Sequence, residues 1–379
     1  MNQPAACYIH CEMEFPSYQA PDFSSLVSAP LVRFAPAPAH GVAPEYFHAT
    51  SNYPEYFRLP DGWQVLRESR MDAVVVLRQH ELEVVEARRL AQGDLVALGR
   101  KEDGSEGIWV HVDGFLEKST STDRFSFRTR GTRESAFSAS YEWLYELLRH
   151  EREHGFIAWV AGPAVAFDKD SRESLGALIR AGYCHAMLAG NALATHDLEA
   201  GHFGTGLGQD VYNQRQHAGG HYHHLDIINR VRLHGSIHDA LPKLGAAPGR
   251  TEQPGIMAAL VESQIPFVLA GSIRDDGPLP EVIPSAYDAQ DAMRTYAKQA
   301  TTVIAMATQL HSIAFGNQLP GYQVTPSGDI RPVYLIVVDT TEFSIDKLAN
   351  RGSSQARGFL TNVQDFLINL RRNLVAPAQ

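Results

Sequence analysis

The chain has few of the features that mark secreted, membrane or disulfide-rich proteins. Its 379 residues include three cysteines. Cys7 and Cys11 lie near the N-terminus and Cys184 lies in an apolar segment, which excludes a disulfide framework and is typical of a reducing compartment. No apolar run approaches the roughly 20 residues that span a bilayer. The N-terminus lacks the basic start and apolar segment of a secretory signal, so we expect a cytoplasmic protein.

Positive charge is scarce as well. The chain has 33 Lys and Arg against 43 Asp and Glu, a formal net charge of −10, and no cluster of basic residues. Binding to a nucleic-acid backbone depends on such clusters, so neither a nucleic-acid nor a membrane partner is expected. An apolar fraction of 44% over this length is enough to bury the cores of two or three domains.

Composition and periodicity divide the chain into four parts. Residues 1–43 are rich in Pro and Ala without a helical or strand period, which predicts a loosely ordered arm. Residues 44–135 contain short segments such as "MDAVVVLRQ" and "GIWVHVDGF", typical of strands in a small β-rich domain. Residues 136–155 carry apolar residues at helical spacing before a glycine, which predicts a connecting helix. Residues 156–379 form the fourth part.

The fourth part alternates apolar runs with helical segments. The runs are "FIAWVAG", "AMLAG", "FVLAGS", "TVIAMAT" and "VYLIVVDTT". Near-continuous apolar strands separated by helices predict an α/β fold with a doubly wound, Rossmann-like parallel sheet. Ligands of such sheets bind outside the carboxyl ends of the strands, so the residues that follow these runs form the candidate site.

Small and polar residues follow the runs. They are Asn191 and Ala192 after "AMLAG", Arg274, Asp275 and Asp276 after "FVLAGS", Thr308, Gln309, Leu310 and His311 after "TVIAMA", and Asp339 at the end of "VYLIVVD". Asp339 either accepts both hydroxyls of an adenosine ribose or caps the following helix. His311 is either an acid–base group or a histidine that is hydrogen-bonded within the core.

Two other motifs have a structural interpretation. "GTGLGQ" at Gly204 to Gln209 resembles a phosphate loop, but it follows a helical segment and is predicted to end that helix. "HAGGHYHHLD" brings together His217, His221, His223 and His224 without metal-ligand spacing or an accompanying cysteine. A loop with solvent-facing imidazoles and one contact at a helix N-terminus is the simpler interpretation, and no metal is predicted.

Longer stretches carry a family pattern. They include "AGNALATHDLE", "FVLAGSIRDDGPLP", "ATQLHSIAFGNQLP" and "LANRGSSQARGFLTNV", and with similar stretches they cover most of residues 45–368. In these stretches the chain resembles the archaeal-type ornithine cyclodeaminase family, the family with the lysine-oxoglutarate reductase/saccharopine dehydrogenase (LOR/SDH) conserved region. This family also occurs as the C-terminal half of arginine dihydrolase/ornithine cyclodeaminase fusions. The resemblance implies a domain similar to that of deoxyhypusine synthase, and an NAD-dependent, redox-neutral conversion of L-ornithine to L-proline with loss of ammonia.

The resemblance also implies site residues. The implied NAD contacts are Asn191, Ala192, Asp275, Thr308, Gln309, Leu310, His311, Asp339, Asn362 and Val363, and Asn362 stands where the family usually has an acid. Arg274 would bind the carboxylate of a diamino acid, and Asp275 and Asp276 would bind its ammonium groups. One of these acids or His311 would deprotonate an amine. Alternatively, Asp275 pairs with Arg274 and caps the next segment.

The chain departs from the family pattern shortly after "GPAV". The family usually has His-Thr-Gly where this chain has Phe167, Asp168 and Lys169. The departure leaves a second hypothesis open, an NAD-dependent oxidoreductase or cyclodeaminase that acts on a different amino acid. A third hypothesis is a non-catalytic nucleotide-sensing protein. The presence of Arg274, Asp275 and His311 argues against it, because a sensor needs no acid–base group. The expected assembly is a homo-oligomer.

Overall fold

Helices and strands alternate regularly in the second half of the chain. The computed structural model describes residues 16–115, 137–249, 254–273, 275, 277–349 and 355–375. The described strands are β1 (Arg33–Pro36), β2 (Glu55–Leu59), β3 (Gly62–Val65), β4 (Val74–Arg78), β5 (Glu81–Val85), β6 (Leu95–Leu98), β7 (Ile108–Val110), β8 (Ile157–Ala161), β9 (Ala186–Gly190), β10 (Thr205–Gly206), β11 (Gln209–Asp210), β12 (Phe267–Ala270), β13 (Val282–Ile283), β14 (Thr302–Met306), β15 (Tyr322–Val324), β16 (Ile330–Pro332), β17 (Tyr334–Asp339) and β18 (Gln355–Leu360). The described helices are α1 (Phe137–His154), α2 (Lys169–Arg180), α3 (Asn191–Phe203), α4 (Gly220–His234), α5 (Ile237–Leu244), α6 (Ile256–Glu262), α7 (Ala286–Ala297), α8 (Gln309–Gln318), α9 (Glu342–Ala349) and α10 (Val363–Leu374).

Seven of the described strands form one parallel sheet. Its order is β13-β12-β9-β8-β14-β17-β18, and every neighbouring pair is parallel. From β8 the chain adds strands outward to β13, then returns to the other side of β8 with β14 and continues to β18. The strand order therefore reverses between β8 and β14, at the kind of switch point where open α/β sheets bind ligands. The predicted doubly wound, Rossmann-like fold is confirmed.

Both faces of this sheet are buried because its strands are apolar on both sides. Successive side chains of a strand point to opposite faces. In β8, Trp159 belongs to a core cluster with residues of α2, α6 and α10, whereas Ala158 and Val160 belong to a second cluster with residues of α7 and α8. Two strands extend the sheet beyond the five that the apolar runs predict. One of them, β18, contains Arg357 and Gly358 and therefore has no apolar run.

Local capping signals set several helix boundaries. Asp168, Ser285 and Thr308 each accept a hydrogen bond from the backbone N–H three residues later, at the starts of α2, α7 and α8. Helices α4 and α5 are separate because Gly235 adopts φ 85° and ends α4 while Ser236 caps α5. Among the described helices, none is long and apolar enough to cross a membrane.

Two antiparallel sheets precede the parallel sheet. Their orders are β1-β6-β4-β5 and β3-β2-β7. Strand β1 lies in the segment rich in Pro and Ala, which sequence periodicity did not predict to be a strand. It pairs with β6 at the edge of its sheet, where Pro36 is tolerated because one side of an edge strand needs no N–H donor. Arg294 of α7 binds Glu86, and the Tyr322 hydroxyl donates to the carbonyl oxygen of Leu66 at 2.8 Å, so this region contacts the parallel-sheet region.

Candidate active site at the carboxyl edge of the parallel sheet

The parallel register brings the ends of the central strands to one edge of the sheet. Met306, the last residue of β14, is level with Ala161 of β8 and Val338 of β17. Strands β9 and β12 end at the neighbouring positions. Asn191 directly follows β9, and Asp339 is the last residue of β17. The structure therefore places these two predicted site residues on the same edge as the start of α8.

The switch point between β8 and β14 is closely packed. Ala307 adopts φ 57°, and Thr308 then caps α8 by accepting the backbone N–H of His311 at 3.4 Å. The His311 ring lies against Gly190 at the end of β9, where an added Cβ would stand 2.8 Å from the ring Cε1. An added Cβ on Gly162 would overlap the carbonyl oxygen of Ala307. Glycine is thus required at two of the strand ends that border the crevice.

The electrostatics of the crevice centre on Asp275. Burial lowers the pKa of His311, and the Asp275 carboxylate opposes this by raising it. Burial also lowers the pKa of His224, followed by the effect of His196, while Glu199 and Asp275 raise it. Asp275 therefore lies close enough to affect imidazoles on both α8 and α4. Its carboxylate also accepts the backbone N–H of Ser272 at 2.8 Å, which folds the loop back on itself.

Asn191 connects two elements of the site. It is buried, and its side-chain oxygen accepts the backbone N–H of Leu279 at 3.1 Å and the Thr195 hydroxyl at 3.2 Å. These hydrogen bonds tie the loop after β12 to the first turn of α3, which also contains Ala192. Asn191 thus has a positioning role in the protein itself, in addition to the cofactor contact predicted for it.

A polar network surrounds the end of β17. The Oδ1 atom of Asp339 accepts the backbone N–H and the hydroxyl of Thr341 at 2.9 and 3.0 Å, and its Oδ2 atom accepts no hydrogen bond from the described residues. Thr341, rather than Asp339, accepts the N–H of Ser344 at the start of α9. Gln309 Nε2 donates to the Ser344 hydroxyl at 2.8 Å, whereas the Leu310 side chain is 70% exposed. One carboxylate oxygen of Asp339 is thus left for a ligand.

The remaining predicted residues lie in different situations. Asn362 is the N-cap of α10 and binds Asp365 twice, accepting its N–H at 2.8 Å and donating to its carboxylate at 2.9 Å. Val363 is the first residue of that helix. Arg274 and Asp276, both predicted to be catalytic, lie outside the described residues, and so does any pairing of Arg274 with Asp275.

Sequence reasoning missed a buried hydrogen-bonded cluster on α3. His196 Nδ1 lies 2.9 Å from Oε2 of Glu199, and the two side chains are 4% and 0% exposed. Glu199 also accepts the Thr205 hydroxyl at 2.9 Å and the backbone N–H groups of Leu207 at 3.3 Å and Gly208 at 3.0 Å. The available signal was a histidine and a glutamate three residues apart, which share one helix face.

The glycine-rich loop serves this cluster. Gly204 adopts φ 69° and ends α3, which confirms the prediction of a helix-terminating loop. Strands β10 and β11 then form a short hairpin. The loop N–H groups bind the Glu199 carboxylate, an anion supplied by the chain itself, and not a phosphate.

The prediction of a loop with solvent-facing imidazoles was wrong for part of the histidine-rich segment, because His223 and His224 lie in α4 and contribute to the same cluster. His224 lies in α4 with its ring 5.1 Å from that of His196, and the His223 Nδ1 atom is 2.8 Å from the Thr205 hydroxyl. Ligand atoms of His196, Glu199 and His224 lie within 4.8 Å of one another, so these three residues could hold a metal ion on distance alone. Each oxygen of Glu199 already accepts two hydrogen bonds, which favours a hydrogen-bonded function over coordination.

The edge as a whole suits a dinucleotide. Helices α3, α8 and α10 begin there, and helix N-termini bind phosphates through free N–H groups. The N-cap of α3 is Gly190, which provides no side-chain cap and so leaves the first N–H groups open to a ligand. Asp339 offers a free carboxylate oxygen on the neighbouring half of the sheet. These features define a Rossmann-type α/β protein with a dinucleotide-binding edge.

Comparison with known proteins gives the family. The chain belongs to the family described as "Arginine dihydrolase ArgZ-like, C-terminal, Rossmann fold", whose model matches residues 144–370. It is 39% identical over 338 residues to an ornithine cyclodeaminase of Archaeoglobus fulgidus, covering 89% of this chain and 77% of the relative. It is 36% identical over 354 residues to an ornithine cyclodeaminase of Methanopyrus kandleri, covering 90% and 78%. The predicted family is confirmed.

Solved structures agree. A conserved LOR/SDH protein from Methanococcus maripaludis S2 matches with a TM-score of 0.79 and 34% identity, covering 91% of this chain and 98% of that chain. AgrE, solved with ornithine and NAD+, matches with a TM-score of 0.55 and 32% identity, covering 91% of this chain and 46% of that chain. AgrE of Nostoc sp. is a bifunctional arginine dihydrolase/ornithine cyclodeaminase, and the match covers less than half of its length.

Proposed function

We propose that the protein is an NAD-dependent ornithine cyclodeaminase, which converts L-ornithine to L-proline and ammonia without net oxidation. The observation that carries the proposal is its similarity, over 91% of the chain, to AgrE in complex with ornithine and NAD+. The names of the archaeal relatives support the same activity. The crevice at the switch point, with acidic and imidazole side chains and the uncapped N-terminus of α3, suits such a reaction.

Residues on three strand ends would hold the cofactor. The backbone at Asn191 and Ala192, at the start of α3, and the segment Thr308 to His311, at the start of α8, would bind its phosphates and the adjoining sugar. Asp339 would bind an adenosine ribose through its free oxygen. Asn362 and Val363 would complete this end of the site. NAD+, when bound, supplies an acceptor for the hydride of the substrate α-carbon and a donor that returns it.

The charged loop after β12 would recognise the substrate. L-Ornithine carries two ammonium groups and one carboxylate. The Asp275 carboxylate lies close enough to His224 and His311 to raise the pKa values of both. An aspartate at this place binds an ammonium group. Arg274 and Asp276 are proposed from the sequence to bind the substrate carboxylate and the second ammonium group. His311, whose pKa is lowered by burial, is neutral near pH 7 and can accept a proton.

An isotope experiment tests the proposed reaction. Purified protein is incubated with NAD+ and L-ornithine deuterated at the α-carbon, and proline, ammonia and absorbance at 340 nm are measured. We expect equal amounts of proline and ammonia, deuterium retained at the proline α-carbon, and no accumulation of NADH. A reaction without NAD+ is the control. Loss of the deuterium to solvent, or accumulation of NADH in amounts equal to product, would contradict a redox-neutral cyclisation.

One observation favours a related activity on a different amino acid. Phe167, which stands where the family usually has a histidine, packs against the His196 ring at 5.1 Å. An apolar ring at this place changes the chemistry of the substrate pocket. Comparison of turnover on L-ornithine, L-lysine and shorter diamino acids, by wild type and by Phe167→His, tests this alternative. A higher kcat/KM on another amino acid by the wild type, reversed in the variant, would establish it.

A further inference from the structure

The imidazole of His196 is fixed in one tautomer by its surroundings. A carboxylate can only accept hydrogen bonds, so the His196 Nδ1 atom, 2.9 Å from Oε2 of Glu199, must carry the hydrogen. Glu199 is itself fully buried and held by Thr205, Leu207 and Gly208. The other ring nitrogen, Nε2, is therefore the one with a lone pair, and it makes no hydrogen bond with any residue in the described part of the chain.

The His196 ring lies between two other aromatic rings. It packs between Phe167, which follows the end of β8, and His224 of α4, with ring centroids 5.1 Å away in each case. Asp275 raises the pKa of both His224 and His311, so this carboxylate lies near the same space. The Nδ1 atom of His224 is buried without a hydrogen-bond partner among the described residues. Two imidazoles with unused nitrogens thus lie beside the loop proposed to bind the amines.

We propose that His196 is the acid–base residue of the cyclisation and that Glu199 is its positioning residue. This proposal rests on the proposed function. When the δ-nitrogen of the substrate has attacked the oxidised α-carbon, that nitrogen carries a proton it must lose. An N–H bond of the ring-forming nitrogen breaks and the Nε2–H bond forms. The same proton then passes to the α-nitrogen as its bond to the α-carbon breaks. Ammonia leaves with that electron pair, and the lone pair of the ring nitrogen forms the C=N bond of the cyclic imine.

The proton count is consistent with a single imidazole. Ornithine with two ammonium groups becomes the proline zwitterion and an ammonium ion, so no proton is gained or lost overall. Each ammonium group first loses one proton, before the α-carbon gives up its hydride and before the δ-nitrogen attacks, and these two protons return to the ring nitrogen of proline and to ammonia. For the cyclisation step itself one imidazole is sufficient, because it takes one proton and returns it. The two electrons that leave the α-carbon also return to it, so no outside oxidant is needed.

A pair of matched variants tests the role of His196. His196→Gln removes the acid–base group, and His202→Gln is the control, because His202 lies on the same helix and is likewise 4% exposed. We expect His196→Gln to lower the rate of proline formation by about 100-fold or more, with Tm and NAD+ affinity like those of the control. Equal rates of proline formation in His196→Gln and wild type would overturn the proposal.

The pH profile tests the role of Glu199. Among the described residues, Glu199 of α3 and His224 of α4 are the titratable side chains beside the His196 ring, and Asp275 affects His224. In Glu199→Gln a neutral amide no longer stabilises the protonated ring, so the acid limb of kcat/KM should move to lower pH. A purely structural role would lower kcat/KM equally at every pH, and that outcome would overturn the positioning role.

Two further measurements separate this proposal from the proposed function. Ring ¹⁵N–¹H correlation spectra, assigned with His196→Gln, should show the Nδ1–H form and a shift of the Nε2 signal on addition of L-ornithine. If the Nε2 signal shifts but the protein makes no proline, the proposed function is refuted and the contact between substrate and His196 is supported. If the signal does not shift in an active enzyme, this proposal is refuted. Loss of activity on dialysis against a chelator, with recovery on Zn²⁺, would place a metal on Nε2 and overturn it.

Discussion

Asp197 is expected to anchor α3, the helix that carries His196, so its removal should lower the free energy of unfolding. The Asp197 side chain is 1% exposed and accepts Nε of Arg172 at 2.8 Å. It also accepts the backbone N–H groups of Ile256 at 3.0 Å and Met257 at 2.8 Å. Arg172 is 1% exposed and donates a second hydrogen bond to the carbonyl oxygen of Asp197 at 2.9 Å. One carboxylate therefore joins α2, α3 and the start of α6.

The change Asp197→Ala leaves a buried guanidinium without its carboxylate. Breaking a buried ion pair by removing one partner costs about 3–5 kcal/mol. The first N–H groups of α6 also lose their acceptor, which costs about 1 kcal/mol for a helix cap. We expect the free energy of unfolding to fall by about 4–6 kcal/mol. The double change Arg172→Met with Asp197→Ala should be less destabilising than Asp197→Ala alone, because it also removes the buried guanidinium charge.

Urea denaturation followed by far-UV circular dichroism measures these differences. The matched control is Glu262→Gln, which breaks the ion pair between Arg180 of α2 and Glu262 of α6. That pair has the same 2.8 Å separation but side chains that are 40% and 55% exposed. Exposed pairs contribute about 1 kcal/mol or less. If Asp197→Ala were no more destabilising than Glu262→Gln, the assignment of Asp197 as a buried anchor would be refuted.

Four further predictions concern the crevice. The pKa values of His224 and His311 are lowered mainly by burial, so the unfolded chain takes up protons at a higher pH, and the free energy of unfolding should fall as the pH drops below about 6.5. Asp275→Asn should lower both pKa values further in an NMR titration, because the opposing carboxylate is gone, and unchanged values would contradict the placement of Asp275. Gly190→Ala puts a Cβ 2.8 Å from His311 Cε1 and should lower stability by about 1–3 kcal/mol and weaken NAD+ binding in calorimetry; unchanged values would refute the close contact. Asp339→Asn should reduce the ratio of the Kd for NADP+ to the Kd for NAD+ by about tenfold or more, and an unchanged ratio would exclude a ribose contact.

The sequence predicted the sheet well because its signal is local. A strand buried on both faces is apolar throughout, as in "IAWVA" and "YLIVVD", and each such run became a strand of the parallel sheet. The prediction failed for β1 and β18. Those strands form because a neighbouring strand offers unpaired backbone groups, and their own side chains carry no pattern that predicts a strand.

The contacts of His196 and Glu199 on α3 could not be predicted from the sequence. His196 and Glu199 were visible as part of a family stretch, but their partners come from a loop after the helix and from α4. The four histidines of the histidine-rich segment looked alike in sequence. Only the fold separates His224, which lies beside His196, from the exposed His217 and His221.

The amino-acid sequence by itself determined the five apolar strands of the parallel sheet, the helical segments between them, the family, and the fact that polar residues follow apolar strands. Tertiary structure alone decided which of those residues meet. A parallel sheet reverses its strand order at one place, and that reversal brings the ends of β8, β9 and β14 together although they are far apart along the chain. Contacts of this kind depend on the packing of whole elements, and packing is a property of the folded chain that no local pattern contains.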